Sequence, residues 1–260
     1  GILEHLEPAG VHSGDSTAVI PPYSVSEEML KEIEEKSKKL ALGLNVKGLL
    51  NIQFAIKDEE LFILEANPRA SRTMPFVAKV TGNQIIKAGT LLMLGYSIDE
   101  VRNKTKYLSS SSNKVAIKKA IFPWSRFPAE DTMLGPEMKA TGEVLGVGKE
   151  FGTALNKAYA AAGVEINNKE KGIFVTLSDS EKPNFIKTVN KYLELGFTLY
   201  STEGTGKFLK TNGIDSVIVG KADDLGQTSL TIIEDKLVSL VINTPTYANE
   251  LSDGWKIRRL

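Results

Sequence analysis

Apolar and polar positions alternate along two neighbouring stretches of the sequence, residues 48–56 and 61–67. Alternation with a period of two indicates strands, and the short polar segment between them predicts a β-hairpin. Pro68 ends the second strand because proline has no N–H to donate to a ladder. Before the hairpin, Ser24 and Glu27 have capping-box spacing, which predicts the start of an amphipathic helix.

After the hairpin the pattern predicts a mixture of short elements. Apolar residues at helical spacing appear around 76–80 and 84–94, and a strand is expected near 115–122, after a polar loop at 109–113. The glycine-rich stretch 135–148 is expected to be irregular. This first part of the sequence therefore reads as α+β.

From residue 172 onward the pattern changes to a regular alternation of strands and helices, which predicts a parallel α/β unit. The predicted elements are strands near 172–177, 197–201, 215–219 and 238–243, with helices beginning near Glu181, Gly204 and Thr228. Gly196 and Gly213 stand where helices turn back to strands, so we expect positive φ angles there. The predicted fold class is α+β for residues 1–164 followed by α/β for residues 165–260.

The composition of the 260-residue protein excludes several classes of function. Lys plus Arg equals Asp plus Glu at 32 each, so no net field attracts nucleic acid or a membrane surface. The absence of cysteine excludes disulfides and thiolate chemistry, and it agrees with a cytoplasmic location. No apolar run approaches the roughly 20 residues of a spanning helix. Because the sequence opens on Gly1 without Met, we expect a fragment of a longer protein.

The hairpin carries the first candidate site. Residues two apart share a face of a strand, so Asn51 and Gln53 point one way on the first strand, as do Glu65 and Asn67 on the second. A three-residue loop at 58–60 would place Gln53 opposite Glu65. One carboxylate with amide oxygens is a hard ligand set, which suits Mg²⁺ or Mn²⁺ bridging nucleotide phosphates. The alternative interpretation is a solvated polar face of a half-exposed sheet.

Two further features lie near this hairpin in sequence. Arg69 and Arg72 follow the second strand and could bind phosphate or carboxylate oxygens through paired N–H groups. The polar, glycine-rich loop 10–16 could contact phosphate through its backbone N–H groups. On the residues alone, His12 is more often structural, and the arginines could simply be surface residues.

The α/β unit carries the second candidate site. Ligands of parallel sheets bind beyond the carboxyl ends of the strands, where helix N-termini present free N–H groups. Residues suited to holding an anion follow all four strands: Lys182, Thr202, Thr205, Lys221, Asn243 and Thr244. The segment around Thr205 is not a Walker loop, since Lys207 is followed by Phe208. The alternative is that the threonines cap helices and the lysines are solvated.

The order and spacing of four motifs point to one family. They are GVHSGDS at 10–16, NIQF at 51–54, EANPRASR at 65–72 and GPEM at 135–138. Together they resemble the carbamoyl-phosphate-forming ATP-grasp half of the large subunit of carbamoyl-phosphate synthetases. The resemblance implies an ATP-dependent ligase that converts carbamate to carbamoyl phosphate for pyrimidine and arginine synthesis.

The same resemblance implies roles for individual residues. Metal ligands for Mg²⁺ or Mn²⁺ would be Gln53, Glu65 and Asn67, while Arg69 and Arg72 would face the reacting phosphoryl and carbamate groups. ATP would be contacted by Gln53 and Glu65 together with Gly10, Val11, His12 and Ser13. A potassium ion would lie by His5, Val11 and Ser16.

The segments STEGT at 201–205, VINT at 241–244 and IRR at 257–259 resemble the methylglyoxal-synthase-like regulatory domain of the same subunit. This domain would be incomplete at its C-terminus. The resemblance implies an allosteric nucleotide such as UMP, bound by the six residues of the second candidate site. Glu7 and Asp15 match acidic positions of an ornithine site, but Lys119 replaces the third acid and would repel ornithine.

Three alternatives stay open at this point. The first part could belong to another ATP-grasp ligase, such as a biotin-dependent carboxylase. The second part could be a methylglyoxal synthase, although its catalytic aspartates have no clear match, and the whole protein could be a free-standing regulatory module. The family resemblance further implies a glutamine amidotransferase small subunit as partner. It also implies that the nucleotide lid precedes Gly1, so we expect the isolated protein to be inactive.

Overall fold

A computed structural model describes residues 1–106, 114–127, 130–164, 172–244, 253–258 and 260. The protein forms two compact units. Unit 1 comprises Gly1–Pro123 and Leu134–Val164, and unit 2 comprises Trp124–Met133 and Glu165–Leu260. The predicted loop at 109–113 and Arg259 lie outside the described residues.

Unit 1 contains a four-stranded antiparallel sheet, a separate hairpin and five helices within the described ranges. In sequence order its elements are β1 (Glu4–His5), β2 (Ala18–Ile20), α1 (Glu27–Gly43), β3 (Asn51–Lys57), β4 (Glu60–Asn67), α2 (Thr73–Thr81), α3 (Ile85–Met93), α4 (Ile98–Lys104), β5 (Val115–Ile121), β6 (Gly142–Gly148) and α5 (Phe151–Ala161). The sheet has the order β1-β2-β5-β6, and the hairpin pairs β3 with β4.

The two faces of the unit 1 sheet bury different helices. On one face, Val19 and Ile117 pack against Ala154 and Ala158 of α5. On the other face, residues of β2 and β5 pack against Phe76 and Val77 of α2. The predicted helices at 76–80 and 84–94 and the predicted strand at 115–122 are confirmed.

The prediction that 135–148 is irregular is wrong for its second half, because β6 pairs with β5 along its whole length. Its glycines serve close packing rather than a turn. A Cβ at Gly146 would lie 2.1 Å from the Ala154 carbonyl oxygen, and one at Gly148 would lie 2.7 Å from the Ala154 nitrogen. The glycines therefore let α5 approach the backbone of the strand.

The hairpin forms as predicted, but its turn has two residues instead of three. Asp58 and Glu59 have φ angles of 51° and 63°, as a tight two-residue hairpin turn requires. Lys57 pairs with Glu60, and the register shifts by one residue between Phe54 and Gln53.

Helix α1 covers the apolar face of the hairpin. Met29 and Ile33 of the helix pack with Leu61 and Phe54. The cap of this helix is Ser26, whose hydroxyl accepts a hydrogen bond from the Met29 N–H, so the predicted start at Ser24 is wrong by two residues.

Unit 2 is built on a parallel sheet with the order β10-β7-β8-β9. Its regular elements are β7 (Gly172–Leu177), α6 (Lys182–Glu194), β8 (Leu199–Thr202), α7 (Glu203–Thr211), β9 (Val217–Val219), α8 (Ser229–Glu234), β10 (Val238–Thr244) and α9 (Asp253–Arg258). Gly196 and Gly213 have φ angles of 86° and 75° and end α6 and α7 as predicted. The predicted fold class, α+β followed by α/β, is confirmed.

Candidate metal and nucleotide sites

Three polar side chains of the hairpin meet at one carboxylate oxygen. Gln53 Nε2 donates a hydrogen bond of 2.6 Å to Glu65 Oε1, and Asn67 Nδ2 donates one of 2.8 Å to the same atom. Glu65 is exposed, and α1 covers the other face of the hairpin. The structure therefore brings the three predicted metal ligands together on the open face of the hairpin.

The loop 10–16 adjoins this cluster. Gln53 Nε2 also donates a hydrogen bond of 2.8 Å to Ser13 Oγ. Within the loop, His12 Nδ1 accepts a hydrogen bond of 3.0 Å from the Gly14 N–H, so this ring nitrogen shapes the turn. Asn51, at the edge of the cluster, donates to Ser71 Oγ at 3.1 Å.

Asp15 fixes the loop 10–16 through a buried side chain. Its side chain is fully buried and accepts hydrogen bonds of 2.7 Å and 2.9 Å from the backbone N–H groups of Lys139 and Ala140. Glu7 accepts hydrogen bonds from the Thr17 N–H and hydroxyl at 2.6 Å and 2.8 Å. Both acids are engaged by groups of unit 1 itself.

The two arginines that follow β4 differ in their surroundings. The Arg72 guanidinium lies against Gly14, where a Cβ would be 2.7 Å from one of its terminal nitrogens. Arg72 Nε is 3.9 Å from Glu143 Oε1. Arg69 is exposed, and a guanidinium nitrogen donates to the Ala70 carbonyl oxygen at 3.2 Å. Both arginines line the groove that also contains Gln53 and Glu65.

The donor set fits a hard divalent cation, with one change of orientation. Gln53 and Asn67 turn their amide nitrogens toward Glu65, and a half-turn of each amide plane would present the oxygen instead. Across the described ranges, no group of three His, Cys, Asp or Glu side chains could hold a metal. The ligand set of the hairpin contains one carboxylate, so both amide oxygens are needed to coordinate a metal ion.

Two of the three residues expected beside potassium lie in the loop 10–16, and the third, His5, ends β1. Although His5 is exposed, neighbouring atoms partly desolvate its ring, and this desolvation together with the nearby Lys118 charge lowers the pKa of its imidazole. The Val11 N–H donates to the Pro8 carbonyl oxygen at 3.0 Å, and the Ser16 hydroxyl donates to the His12 carbonyl oxygen at 3.3 Å.

Sequence reasoning did not single out Lys118, which contacts the loop 10–16. Its side chain is 1% exposed, and its ammonium donates a hydrogen bond of 3.1 Å to the Ser13 carbonyl oxygen. Glu143 Oε1 lies 3.6 Å from the same nitrogen. Burial lowers the pKa of Lys118, and the charge of Glu143 opposes this change. A pair of adjacent lysines inside an otherwise apolar strand was the available signal.

The neighbouring Lys119 points to the opposite face of the sheet. Its ammonium is 3.3 Å from Thr17 Oγ1 and lies over the Tyr159 and Phe122 rings, at 5.0 Å and 5.8 Å from their centroids. This placement is what strand alternation requires of adjacent residues.

In unit 2 the structure gives the predicted anion-binding threonines internal partners. Thr205 is buried, and its hydroxyl oxygen accepts a hydrogen bond of 3.0 Å from the Leu177 N–H. Thr244 Oγ1 accepts one of 2.9 Å from the Ser178 N–H. Thr202 Oγ1 lies 3.2 Å from Thr176 Oγ1. These contacts join the carboxyl ends of β7, β8 and β10.

Both lysines of this site contact a nearby aspartate. Lys182 forms an ion pair of 2.5 Å with the exposed Asp179. Lys221 is exposed, and its backbone N–H donates to Asp224 Oδ2 at 2.7 Å. Both lysines follow strands of the parallel sheet, as predicted.

Asn243 lies against the last helix of unit 2. A Cβ at Gly254 would be 2.5 Å from Asn243 Nδ2, so a glycine is needed there. Helix α9 is held by two ion pairs, Lys256 with Asp223 and Arg258 with Asp131. The Arg258 pair has two hydrogen bonds of 2.7 Å, and sequence reasoning did not identify it.

Each part of the protein matches a family model. Residues 3–101 match the model "Carbamoyl-phosphate synthase L chain, ATP binding domain", and residues 184–260 match the model "MGS-like domain". The protein is therefore an ATP-binding domain portion followed by an MGS-like domain. None of the helices in the described ranges has the length and hydropathy of a membrane-spanning segment.

Curated relatives extend these matches over nearly the whole sequence. One is the C-terminal section of the carbamoyl phosphate synthase large chain from Aquifex aeolicus, which is 42% identical over 99% of this chain and 50% of its own length. The equivalent section from Methanocaldococcus jannaschii is 41% identical over 99% of this chain and 43% of its own length. The carbamoyl phosphate synthase large chain from Archaeoglobus fulgidus is 44% identical, over 100% of this chain and 24% of its own length.

Both parts of this chain are therefore similar to carbamoyl phosphate synthase large chains. The chain spans between about a quarter and half of the length of the relatives named above. The predicted resemblance is confirmed, and the match of both parts to one kind of large chain disfavours a biotin-dependent carboxylase or a free-standing module.

Proposed function

We propose that this protein is the C-terminal portion of an ATP-dependent ligase that phosphorylates carbamate to carbamoyl phosphate, for pyrimidine and arginine synthesis in the cytoplasm. The observation that carries this proposal is the convergence of Gln53 and Asn67 on the Glu65 carboxylate, beside Ser13 of the loop. The family match to an ATP-binding domain supports it.

In this proposal the hairpin residues Gln53, Glu65 and Asn67 bind Mg²⁺ or Mn²⁺. A divalent cation, when bound, neutralises charge on the phosphate oxygens of ATP. Phosphoryl transfer requires little covalent chemistry from a protein and depends on positioning and on charge stabilisation. The pairing of β3 with β4 supplies the positioning, because beyond the register shift it sets Gln53 opposite Glu65 and Asn51 opposite Asn67.

The remaining residues of the groove surround the transferring group. Arg69 and Arg72 face the reacting phosphoryl and carbamate groups and stabilise their negative charge. The nucleotide is contacted by Gln53 and Glu65 together with the loop residues Gly10, Val11, His12 and Ser13. A potassium ion beside His5, Val11 and Ser16 would support this loop.

Unit 2 is, in this proposal, a regulatory domain that binds a nucleotide such as UMP beyond the carboxyl ends of its strands. The phosphate would be held by Lys182, Thr202, Thr205, Lys221, Asn243 and Thr244. The parallel sheet and the MGS-like match support a ligand at this edge. We place the boundary between ligase and regulatory domains at residues 164/165, and a glutamine amidotransferase small subunit is the proposed partner of the complete large chain.

The proposal is tested by assaying the complete large chain for ATP formation from carbamoyl phosphate and ADP, the reverse of carbamate phosphorylation. We expect ATP formation that requires Mg²⁺ or Mn²⁺ and stops when the metal is chelated. A purified, folded large chain that forms no ATP under these conditions contradicts the proposal.

A further inference from the structure

Lys118 is the one lysine or arginine that is buried within the described ranges, with 1% of its side chain exposed. A charged group in a protein interior has a large desolvation cost unless polar partners compensate it. A leucine at this position in the middle of β5 would contribute as much to the apolar core as the lysine does. The contacts of its ammonium group must therefore explain why a lysine is present.

These contacts connect four elements of unit 1. The ammonium donates to the Ser13 carbonyl oxygen at 3.1 Å and lies 3.6 Å from Glu143 Oε1 on the adjacent strand β6. The same Glu143 oxygen is 3.9 Å from Arg72 Nε, at the start of α2. One buried cation thus reaches the loop, and through Glu143 it reaches the arginine.

Both ends of this series of contacts lie next to the cluster that Gln53, Glu65 and Asn67 form on the hairpin. Ser13 Oγ accepts a hydrogen bond from Gln53, the residue paired with Glu65. The Arg72 guanidinium packs on Gly14, the residue after Ser13. A shift of Lys118 would therefore displace the loop and the arginine together.

We infer that Lys118 is a positioning residue for phosphoryl transfer, acting through the Ser13 carbonyl and through the Glu143 carboxylate. Glu143 Oε1 is buried and accepts no hydrogen bond from the described residues. Lys118 partly neutralises the Glu143 carboxylate. Arg72 Nε therefore stays 3.9 Å from Glu143 Oε1 and forms no hydrogen bond with it. Among the described residues the Arg72 guanidinium has no hydrogen-bond acceptor, so its N–H groups are available to phosphoryl oxygens. This inference deepens the proposed function and rests on it.

The competing explanation is a buried ion pair that only stabilises the fold. Replacing both charges of such a pair by neutral groups of similar size is often harmless to stability, whereas removing one charge is costly. The doubly neutral variant Lys118→Met/Glu143→Gln therefore separates the two explanations. It removes the positioning contacts without leaving a lone buried charge.

The experiment measures kcat, the KM for ADP and the melting temperature for ATP formation by the complete large chain. The variants are Lys118→Met, Glu143→Gln and the double variant. Lys119→Met is the matched control, since it removes the adjacent lysine from the opposite face of the same strand.

We expect Lys118→Met to lower kcat by at least about tenfold, because small misplacements of catalytic groups have large effects on rate. The double variant should recover the melting temperature of the wild type but keep the low kcat, with the KM for ADP changed less than about threefold. The Lys119→Met control should keep the wild-type kcat. If Lys118→Met does not fold, the kcat values and melting temperatures of the Glu143→Gln and double variants test the inference instead.

A double variant that recovers kcat together with the melting temperature overturns the inference, as does an equal loss of kcat in the control. If the wild type is active and the Lys118→Met and Glu143→Gln variants keep its kcat, the inference is wrong and the proposed function stands. Inactive wild-type protein overturns the proposed function and this inference with it.

Discussion

The Gln53 amide faces the Glu65 carboxylate directly across the hairpin, with 2.6 Å between the amide nitrogen and the carboxylate oxygen. A two-residue turn with unbroken pairing would instead set Gln53 opposite Leu64. The one-residue shift of register between Phe54 and Gln53 corrects this offset. A β-bulge beside a functional site commonly re-aims a side chain in this way.

Replacing Glu65 by alanine should abolish ATP formation from carbamoyl phosphate and ADP in the complete large chain. The loss should be at least about a hundredfold, since the single carboxylate of the ligand set is worth several kcal/mol to a bound cation and its phosphates. The assay is steady-state ATP formation at saturating metal. Glu60→Ala, at the turn end of the same strand, is the control and should keep full activity. Near-normal turnover by Glu65→Ala would show that the reaction does not need the Glu65 carboxylate.

Replacing Lys182 by alanine should weaken UMP binding about tenfold or more, because a hydrogen bond between charged groups contributes about 1.5–3 kcal/mol. Isothermal titration of the complete large chain measures the effect. Lys191→Ala, at the exposed far end of α6, should bind UMP like the wild type. A wild-type protein that shows no heat of binding would count against a nucleotide pocket in unit 2.

Replacing Gly146 by alanine should destabilise unit 1 by about 1–3 kcal/mol or more, since the new methyl group would lie 2.1 Å from the Ala154 carbonyl oxygen. The melting temperature should fall by several degrees. Gly152→Ala is the control, because it is exposed in α5 and a Cβ there meets no atom within 4 Å. It should leave the melting temperature unchanged or raise it slightly. Equal effects of the two substitutions would contradict this account of the packing.

Replacing Arg258 by methionine should loosen α9, because both hydrogen bonds to Asp131 are lost. Amide hydrogen exchange should become faster in α9 and stay unchanged in α6. Lys207→Met is the control, since its ion pair with Glu203 is largely exposed to solvent and should contribute little. Unchanged exchange in α9 of the Arg258 variant would show that other contacts hold this helix.

The parallel unit could be predicted from sequence because its signals are local. Each of its strands is a short apolar run, and Gly196 and Gly213 mark the ends of helices through a conformation that glycine adopts readily. The pairing of Gln53 with Glu65 was also predicted, although the loop length was wrong by one residue and the bulge compensates for it.

What could not be predicted depends on contacts distant in sequence. Gly146 and Gly148 read as turn residues, because nothing local shows that α5 will pack against them. Lys118 contacts Ser13, which is 105 residues away, so only the folded sheet shows its partner. Asp131 and Arg258 are 127 residues apart, and nothing local in the sequence predicts that they pair.

The central claim is that Gln53, Glu65 and Asn67 bind one divalent cation. Anomalous diffraction from crystals of the complete large chain, grown with Mn²⁺ and ADP, tests it most directly. We predict a manganese peak about 2.0–2.4 Å from oxygens of all three side chains, with both amides turned to present oxygen. A manganese ion bound to the ADP phosphates in unit 1 without contact to Glu65 would contradict the account.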